Sequence, residues 1–231
     1  MTAHREIAFD TETTGLDWSG DDRIIELGAV ELINHVPTGN TFQTYINPGR
    51  PVSSATIEIT GITDEMLVDK PTFDAPEIVD AFLDFVGAAD LVAHNAAFDR
   101  GFLNAELARL GRAPIEEARW IDTVGMARKR FPGAPASLDA LCKRFNVNAE
   151  ARTLHGALLD SQLLAEVYLE LLGGRARSFD FGSQSGPVEL GSQTATERPT
   201  PLTDRLSADE RAAHAEFVKS LGQDAIWSRY A

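Results

Sequence analysis

The spacing of apolar residues changes character near Pro71, and this change limits the fold more than any other feature of the sequence. Before it, three segments show strand-like apolar patterns and are joined by short turns: REIAFD, RIIELGAVELI and TFQTYINP. Strands joined in this way form an antiparallel meander. After it, helical spacing alternates with two short apolar segments, LVAHN and RWIDT. The pattern predicts an α/β fold, a mixed sheet with helices packed on its faces.

The C-terminal part of the chain changes composition after the last long helical segment. That segment stops at Gly173 and Gly174, a common C-terminal signal. Gly, Ser, Thr, Gln and Pro then dominate up to about Pro201, with too few apolar residues to fold. A short amphipathic helix is predicted beyond it, opening with Ser207 and Glu210 as a cap. We expect one domain of catalytic size over residues 1–173, a flexible linker over 174–200, and a tail over 201–231 that folds on a partner.

Composition and charge narrow the class of protein. A hydrophobic content of 43% supplies a full core, and no apolar run reaches the length that spans a bilayer. No leader precedes the first strand, so we expect a cytoplasmic protein with no membrane contact. The single cysteine, Cys142, is interpreted as part of the core. The net charge of −14 argues against a nucleic-acid partner unless metal ions mediate the contact.

Four carboxylates stand at informative positions. Asp10 and Glu12 end the first strand in FDTETTG and point to the same side of the sheet; the alternative is a pair of solvated acids. Asp99, in HNAAFD, begins a helix, where a capping role is the alternative. Asp160, in HGALLD, lies on an apolar helix, either on its inner side or exposed. In one cleft, these acids would suit two magnesium or manganese ions.

A histidine accompanies the last of these acids. His155 precedes Asp160 by five residues, which is not one-face spacing, so we expect it at or just before the helix start. From there an imidazole reaches a metal site and accepts a proton from water near neutral pH. The alternative is a partly exposed histidine without a catalytic role. His94 ends the fourth predicted strand close to the proposed cleft and would support it.

The motifs DTET, HNAAFD and HGALLD, in this order and spacing, resemble those of DEDD-type exonucleases with a catalytic histidine. Over nearly the whole chain, from DTETTG through RTLHGALLDSQLLAEVYLEL to AAHAEF and Trp227, the sequence resembles the epsilon proofreading subunits of bacterial DNA polymerase III. The resemblance implies a ribonuclease-H-like fold with a five-stranded mixed sheet flanked by helices. It also implies a 3′-to-5′ exonuclease that proofreads for the replicative polymerase and releases 5′-nucleoside monophosphates.

The same resemblance assigns roles to the acids and the histidine. Two ions, Mg²⁺ or Mn²⁺ and about 4 Å apart, would be bound by Asp10, Glu12, Asp99 and Asp160. One ion would activate a water that His155 deprotonates as general base, and the other would stabilise the departing 3′ oxygen. Contacts with the terminal nucleotide would come from Asp10, Thr11, Glu12, Thr13, Ile59, Thr60 and Asp160. Thr60 stands where the related nucleotide-contacting loop commonly carries a histidine. Phe98 would either stack on frayed bases or belong to the core.

The implied partners are a single-stranded or frayed DNA 3′ end and, through the tail, the polymerase III alpha (catalytic) subunit. Contact with the sliding clamp would be weak, because RARSFDFG keeps Phe179 and Phe181 but has Ala176 in place of a glutamine. Alternatively, the two phenylalanines dock on the domain itself. The rival functions are an exoribonuclease of the oligoribonuclease or tRNA-trimming type, which generally lacks such a tail, and a non-catalytic scaffold subunit of the polymerase.

Overall fold

The computed structural model describes residues 3–150, 152, 154–174 and 207–221. They belong to two units, the first of which contains every strand. The strands are β1 (Arg5–Thr13), β2 (Ile24–Ile33), β3 (Val36–Tyr45), β4 (Asp90–Ala93) and β5 (Trp120–Asp122). The helices of this unit are α1 (Ser54–Thr60), α2 (Asp64–Leu67), α3 (Pro76–Val86), α4 (Ala96–Arg109), α5 (Thr123–Arg130), α6 (Leu138–Phe145) and α7 (Ala157–Leu171). The second unit contains α8 (Ala208–Ser220).

The strands form one mixed sheet in the order β3-β2-β1-β4-β5. The first three pair antiparallel, as the predicted meander requires, whereas β4 and β5 join in parallel. The predicted α/β fold with a five-stranded mixed sheet is therefore confirmed. Because β1 and β4 run parallel, their carboxyl ends lie at the same edge of the sheet, where crevices for ligands form in sheets of this kind.

Apolar layers cover both faces of the sheet. Successive side chains of a strand point to opposite faces, and on β1 Ile7 and Phe9 pack in the layer under α3 and α4. Ala8 points the other way, into the layer under α6 and α7. Cys142 is buried in this second layer, as expected. The central strand β1 is thus held from both sides, which gives the residues that follow it a fixed position.

Two strand boundaries differ from the prediction. β1 continues past Asp10, because its pairing with β2 extends to Thr13. β3 starts at Val36, within a segment predicted as a turn, because Asn34 and His35 alone make the turn with φ of 50° and 69°. Two residues with positive φ form a tight hairpin connection. β3 lies at the edge of the sheet and is largely exposed, so its sequence lacks a strong apolar pattern.

The helix α1 was not predicted, and the expected loop at Ile59 and Thr60 is instead its last turn. The Ser53 side chain accepts a hydrogen bond from the Thr56 amide at the start, and Gly61 closes the end in a left-handed conformation. Four of the seven residues are β-branched, which lowers helix propensity. Capping at both ends stabilises a helix that its own residues favour weakly.

The first turn of α7 lies directly against β2. A Cβ atom added at Gly28 would lie 2.1 Å from the carbonyl carbon of Ala157, so only glycine leaves room for this contact. The Ser161 hydroxyl donates to the Gly28 carbonyl oxygen over 2.9 Å. Gly28 is also the pairing partner of Asp10 on β1. This contact therefore sets the position of Asp160, one helix turn into α7, relative to Asp10.

The tail contains the predicted helix and its cap. In α8, the Ser207 hydroxyl accepts from the Glu210 amide, and the Glu210 carboxylate accepts from the Ser207 amide. Phe217 and Leu221 are exposed. Residues 175–206, with Ala176, Phe179 and Phe181, and residues 222–231, with Trp227, lie outside the described residues, so the linker and its boundaries stay predictions. Among the helices described, none has the length and apolar character to cross a membrane.

Replacing Gly28 with alanine is expected to destabilise the larger unit by at least about 1–3 kcal/mol, because the new methyl group overlaps the α7 backbone and overpacking costs this much. The free energy of unfolding in urea measures the effect. Gly125→Ala is the control: there the added Cβ lies 3.3 Å from the end of the Asp122 carboxylate, and we expect a change below about 1 kcal/mol. A wild-type urea midpoint for Gly28→Ala would contradict the close packing of β2 and α7.

Candidate active site

The four predicted acids and the histidine gather at the carboxyl end of β1. Asp10 and Glu12 lie on the last residues of β1, Asp99 in the first turn of α4, and Asp160 in the first turn of α7. Asp99 and Asp160 are 2% and 3% exposed, which excludes the exposed alternative for Asp160. His155 lies just before the α7 N-cap, as expected, and its side chain is 47% exposed.

Three of these groups are spaced as metal ligands. One atom each from Glu12, His155 and Asp160 lie within 4.8 Å of one another. Carboxylate oxygens and imidazole nitrogens are donors that divalent cations accept in proteins. His155, which was predicted as a general base, belongs to this set, and Asp10 and Asp99 lie beside it, close enough for their charges to interact. The donor set therefore fits a divalent cation.

Burial raises the pKa values of three of the acids, and neighbouring carboxylates add to the rise for Asp10 and Glu12. Burial, followed by the charges of Asp99, Glu12 and Asp160, raises the pKa of Asp10 well above its usual value. Burial, with the charge of Asp160 next, raises the pKa of Glu12 to about 8. Burial raises the pKa of Asp99 to about 7, although the Thr11 hydrogen bond opposes the rise. The poorly solvated cleft thus favours the neutral forms of these acids, and a bound cation would favour their charged forms.

Asp99 points toward β1, and another acid takes the capping position. The Asn95 and Ala96 amides at the start of α4 donate to Asp122 Oδ1 over 3.0 and 3.3 Å. Asp99 Oδ1 instead accepts from the Thr11 hydroxyl over 2.8 Å. Asp122 thus accepts from the amides at the helix start, and the Thr11 hydroxyl orients the Asp99 carboxylate.

Arg152 binds Asp160 from within the site. Its Nε and Nη2 atoms donate to Asp160 Oδ1 and Oδ2, each over 2.6 Å. Nη2 also lies 2.8 Å from His155 Nδ1, and that nitrogen lies 3.2 Å from Asp160 Oδ2. Arg152 was not singled out from the sequence because it belongs to no charge or spacing pattern. Its place three residues before His155, in RTLHGALLD, is the signal that points to it.

Glu26 is a second residue that the sequence did not reveal. It lies on β2 opposite Glu12 and is 1% exposed. Its Oε2 accepts from the Ala157 amide over 3.0 Å, and its Oε1 accepts from Gln43 over 2.7 Å. Burial raises the pKa of Glu26. Glu26 therefore fixes the first residue of α7 and brings a fifth acid next to the site. An acid inside the apolar segment RIIELGAVELI is the sequence signal for it.

The C-terminal end of α1 contacts the segment that carries His155. The His155 amide donates to the Ile59 carbonyl oxygen over 3.1 Å. Leu154 packs beside Gly61, where an added Cβ atom would lie 2.7 Å from Leu154 Cδ1. Ile59 and Leu154 are about half exposed and line a cleft of about 660 Å³ with His155 and Arg152. A groove with apolar and charged walls therefore leads to the imidazole.

The other predicted nucleotide contacts differ in accessibility. The hydroxyls of Thr11, Thr13 and Thr60 are buried and donate to protein atoms: the Asp99 carboxylate, the Gly15 carbonyl and the Thr56 carbonyl. Phe98 packs against the core, with its ring 4.9 Å from that of Phe102, which favours a core role. His94 follows β4 and lies 2.9 Å from the Thr123 hydroxyl. The nucleotide contacts themselves stay predictions.

Comparisons with known proteins agree on one family. A family model described as Exonuclease matches residues 7–168. A DNA polymerase III subunit epsilon of Rickettsia typhi is 52% identical over 229 residues, 96% of this chain and 98% of the relative. The structure of Exonuclease X in complex with 5′ overhanging duplex DNA is 33% identical with a TM-score of 0.56, over 73% of this chain and 90% of that chain. The nuclease domain of 3′hExo, a DEDDh family member bound to rAMP, shares the fold at 23% identity and a TM-score of 0.62, over 74% and 92%.

Without metal, the protein is expected to lose stability as the pH rises from 5.5 to 8. The pKa values of Glu12 and Asp99 rise on folding to about 8 and about 7. Between the unfolded and folded pKa values the folded state binds more protons, so the free energy of unfolding falls with pH. This contribution is complete below about pH 4 and is lost as the pH passes those folded pKa values. Urea unfolding in EDTA at the two pH values measures it.

The variant Glu12→Gln serves as the comparison, because it keeps the side-chain shape and removes the charge. Its loss of stability over the same pH interval should be smaller than that of the wild type by on the order of 1 kcal/mol. An equal loss of stability in both proteins would show that ionisation of Glu12 does not destabilise the folded state.

Proposed function

The chain belongs to the exonuclease family and, within it, to the epsilon subunits of DNA polymerase III, and we propose from this that it removes nucleotides one at a time from DNA 3′ ends as the proofreading nuclease of that polymerase. The observation that carries the proposal is the gathering of Asp10, Glu12, Asp99, Asp160 and His155 at the carboxyl end of β1. These are the residues that the DEDD motifs require, on elements that the core fixes.

The enzyme depends on divalent metal, and we assign two ions, Mg²⁺ or Mn²⁺, to Asp10, Glu12, Asp99 and Asp160. The spacing of the donor atoms and the raised pKa values of the acids support this assignment. The cations, when bound, supply the positive charge that draws in the scissile phosphate and stabilises the departing 3′ oxygen. A chain with a net charge of −14 thereby binds a polyanion.

His155 is the general base of the proposed reaction. Its side chain is 47% exposed, so water reaches it, and Asp160 Oδ2 lies 3.2 Å from Nδ1 and orients the ring. The water oxygen attacks phosphorus, and the bond to the 3′ oxygen of the preceding nucleotide breaks. The water proton passes to Nε2 of His155, and the departing oxygen takes a proton from solvent. The products are a 5′-nucleoside monophosphate and a strand shorter by one residue.

Selection of mismatched ends follows from access to a narrow site. A mismatched terminus unpairs more cheaply than a paired one and so reaches the acids more often. Ile59 offers an exposed apolar surface next to His155 for the unpaired nucleotide, whereas Thr11, Thr13 and Thr60 would contribute through the backbone that carries them. Selectivity thus comes from fraying of the DNA rather than from reading of the base.

The proposed partners are the polymerase alpha (catalytic) subunit through residues 201–231, a frayed DNA 3′ end and, weakly, the sliding clamp. The exposed Phe217 and Leu221 give α8 an apolar surface for the alpha subunit. A place in replication supports a cytoplasmic location. The rival exoribonuclease function is less well supported, since the Rickettsia typhi relative aligns over 96% of this chain, beyond the exonuclease domain. The scaffold rival lacks support because the acids and the histidine are all in place.

Replacing Asp10 with alanine is expected to abolish 3′-to-5′ shortening of single-stranded DNA in Mg²⁺ or Mn²⁺, because it removes an acid from the centre of the cluster. Loss of activity of about 10³-fold or more corresponds to roughly 4 kcal/mol of transition-state stabilisation. Gel analysis of DNA labelled at its 5′ end measures it, with a matched RNA strand as the test of the exoribonuclease rival.

Asp80→Ala is the matched control, since it removes the same charge from the surface of α3, where Asp80 pairs with Arg112. It should shorten DNA at the wild-type rate. Undiminished activity of Asp10→Ala would refute the role of Asp10, and faster cleavage of RNA than of DNA by the wild type would favour the rival function.

Deleting residues 201–231 is expected to leave nuclease activity intact and to abolish co-purification with the polymerase catalytic chain. The physical reason is that one amphipathic helix gains stability by packing on a partner. Pull-down of the tagged catalytic chain measures binding, and Phe217→Asp tests the apolar surface of α8 within the full chain. Retained association of the deleted protein would show that the tail does not carry this contact.

A further inference from the structure

A buried cation occupies the acidic site. The side chain of Arg152 is 9% exposed, and its Nε and Nη2 atoms each donate to a different oxygen of Asp160. Its Nη1 atom binds Asp139 on α6. The guanidinium therefore uses both oxygens through which Asp160 would bind a metal ion. Paired charge-assisted hydrogen bonds of this geometry are the strong kind.

Arg152 also acts on the other acids. Its charge lowers the pKa values of Asp10 and Glu12, against the combined effect of burial and like charge. Removing one partner of a buried ion pair leaves the other uncompensated, which is strongly destabilising. Arg152 thus stabilises a cluster of acids whose repulsion would otherwise act against folding.

The same guanidinium determines which nitrogen of the His155 imidazole carries the proton. Nη2 of Arg152 is a donor only, so its contact of 2.8 Å requires His155 Nδ1 to accept, which places the proton of a neutral ring on Nε2. Asp160 Oδ2, 3.2 Å from the same nitrogen, requires the opposite arrangement, with the proton on Nδ1. Only the second leaves Nε2 free to accept a proton from water. Arg152 and Asp160 therefore compete for one nitrogen, and the shorter contact holds His155 in the form that cannot act as a base through Nε2.

We propose that Arg152 is a resident cation that occupies Asp160 while divalent metal is absent, and that a metal ion binds there only by displacing it. Displacement leaves Asp160 as the partner of His155 Nδ1 and frees Nε2, so that binding of metal also prepares the base. The proposal rests on the proposed function in one respect: Asp160 must bind metal.

Calorimetric titration of the full chain with Mn²⁺ tests the competition. Arg152→Ala is expected to bind Mn²⁺ about tenfold or more tightly than the wild type, because metal then relieves an uncompensated buried carboxylate. Its metal-free form should melt at a lower temperature and gain more from Mn²⁺. Arg112→Ala, which removes the same charge from a surface pair with Asp80, should match the wild type. Arg152→Gln repeats the comparison without charge should the alanine variant fail to fold.

Nitrogen-15 NMR of His155 in alkaline buffer, where imidazole is neutral, reports the proton position directly. The metal-free wild type should carry the proton on Nε2, and addition of Mg²⁺ should move it to Nδ1. Arg152→Ala should carry it on Nδ1 without Mg²⁺. An arginine that only stabilised the fold would change none of these signals.

The outcomes separate the two proposals. A wild-type protein that binds no Mn²⁺ would overturn the proposed function and this inference with it. A wild type that binds Mn²⁺, with equal or weaker binding by Arg152→Ala or an unchanged His155 proton, would overturn this inference alone.

Discussion

The burial of several acids together in a poorly solvated cleft is the constraint on which the structure of this protein depends. Burial raises the pKa values of Asp10, Glu12 and Asp99, and neighbouring acids add to the rise for Asp10 and Glu12, so folding opposes their ionisation. The energy for this comes from elsewhere: the two apolar layers around β1 hold the strand in place from both faces. Positive charge in the cleft offsets this cost, and Arg152 supplies it next to Asp160.

The order of the strands in the sheet determines where the acids of the site lie. The sheet changes from antiparallel to parallel pairing at β1, which places α4 and its Asp99 beside the end of that strand. On the opposite side, Glu26 accepts from the first amide of α7. The end of α1 then fixes the backbone of His155. The fold thus positions the backbone of each group, whereas Thr11 and Arg152 orient the side chains of Asp99 and Asp160.

The features that could be predicted from the sequence and those that could not have different physical origins. The sheet, α4 and α7 follow from apolar periodicity, and Asp10, Glu12, Asp99 and Asp160 stand out because acids interrupt or border those apolar segments. The helix α1 escaped notice because caps at Ser53 and Gly61, rather than helix-favouring residues, stabilise it. Arg152 and Glu26 escaped because their roles arise from contacts across the fold, with Asp160 and with the α7 amide. Apolar periodicity predicts helices and strands, whereas contacts between residues distant in sequence are seen only in the folded structure.

Gly28 affects the active site because it has no side chain. The volume that a methyl group would fill there is occupied by the backbone of α7, so any lineage that gained a side chain at this position would have to lift the helix, and with it the acid one turn along. Such a change would alter the cluster of ligands without touching a single ligand. The active site therefore depends on the absence of a side chain at Gly28, and a mutation that adds one could disrupt the site as much as a mutation that removes an acid.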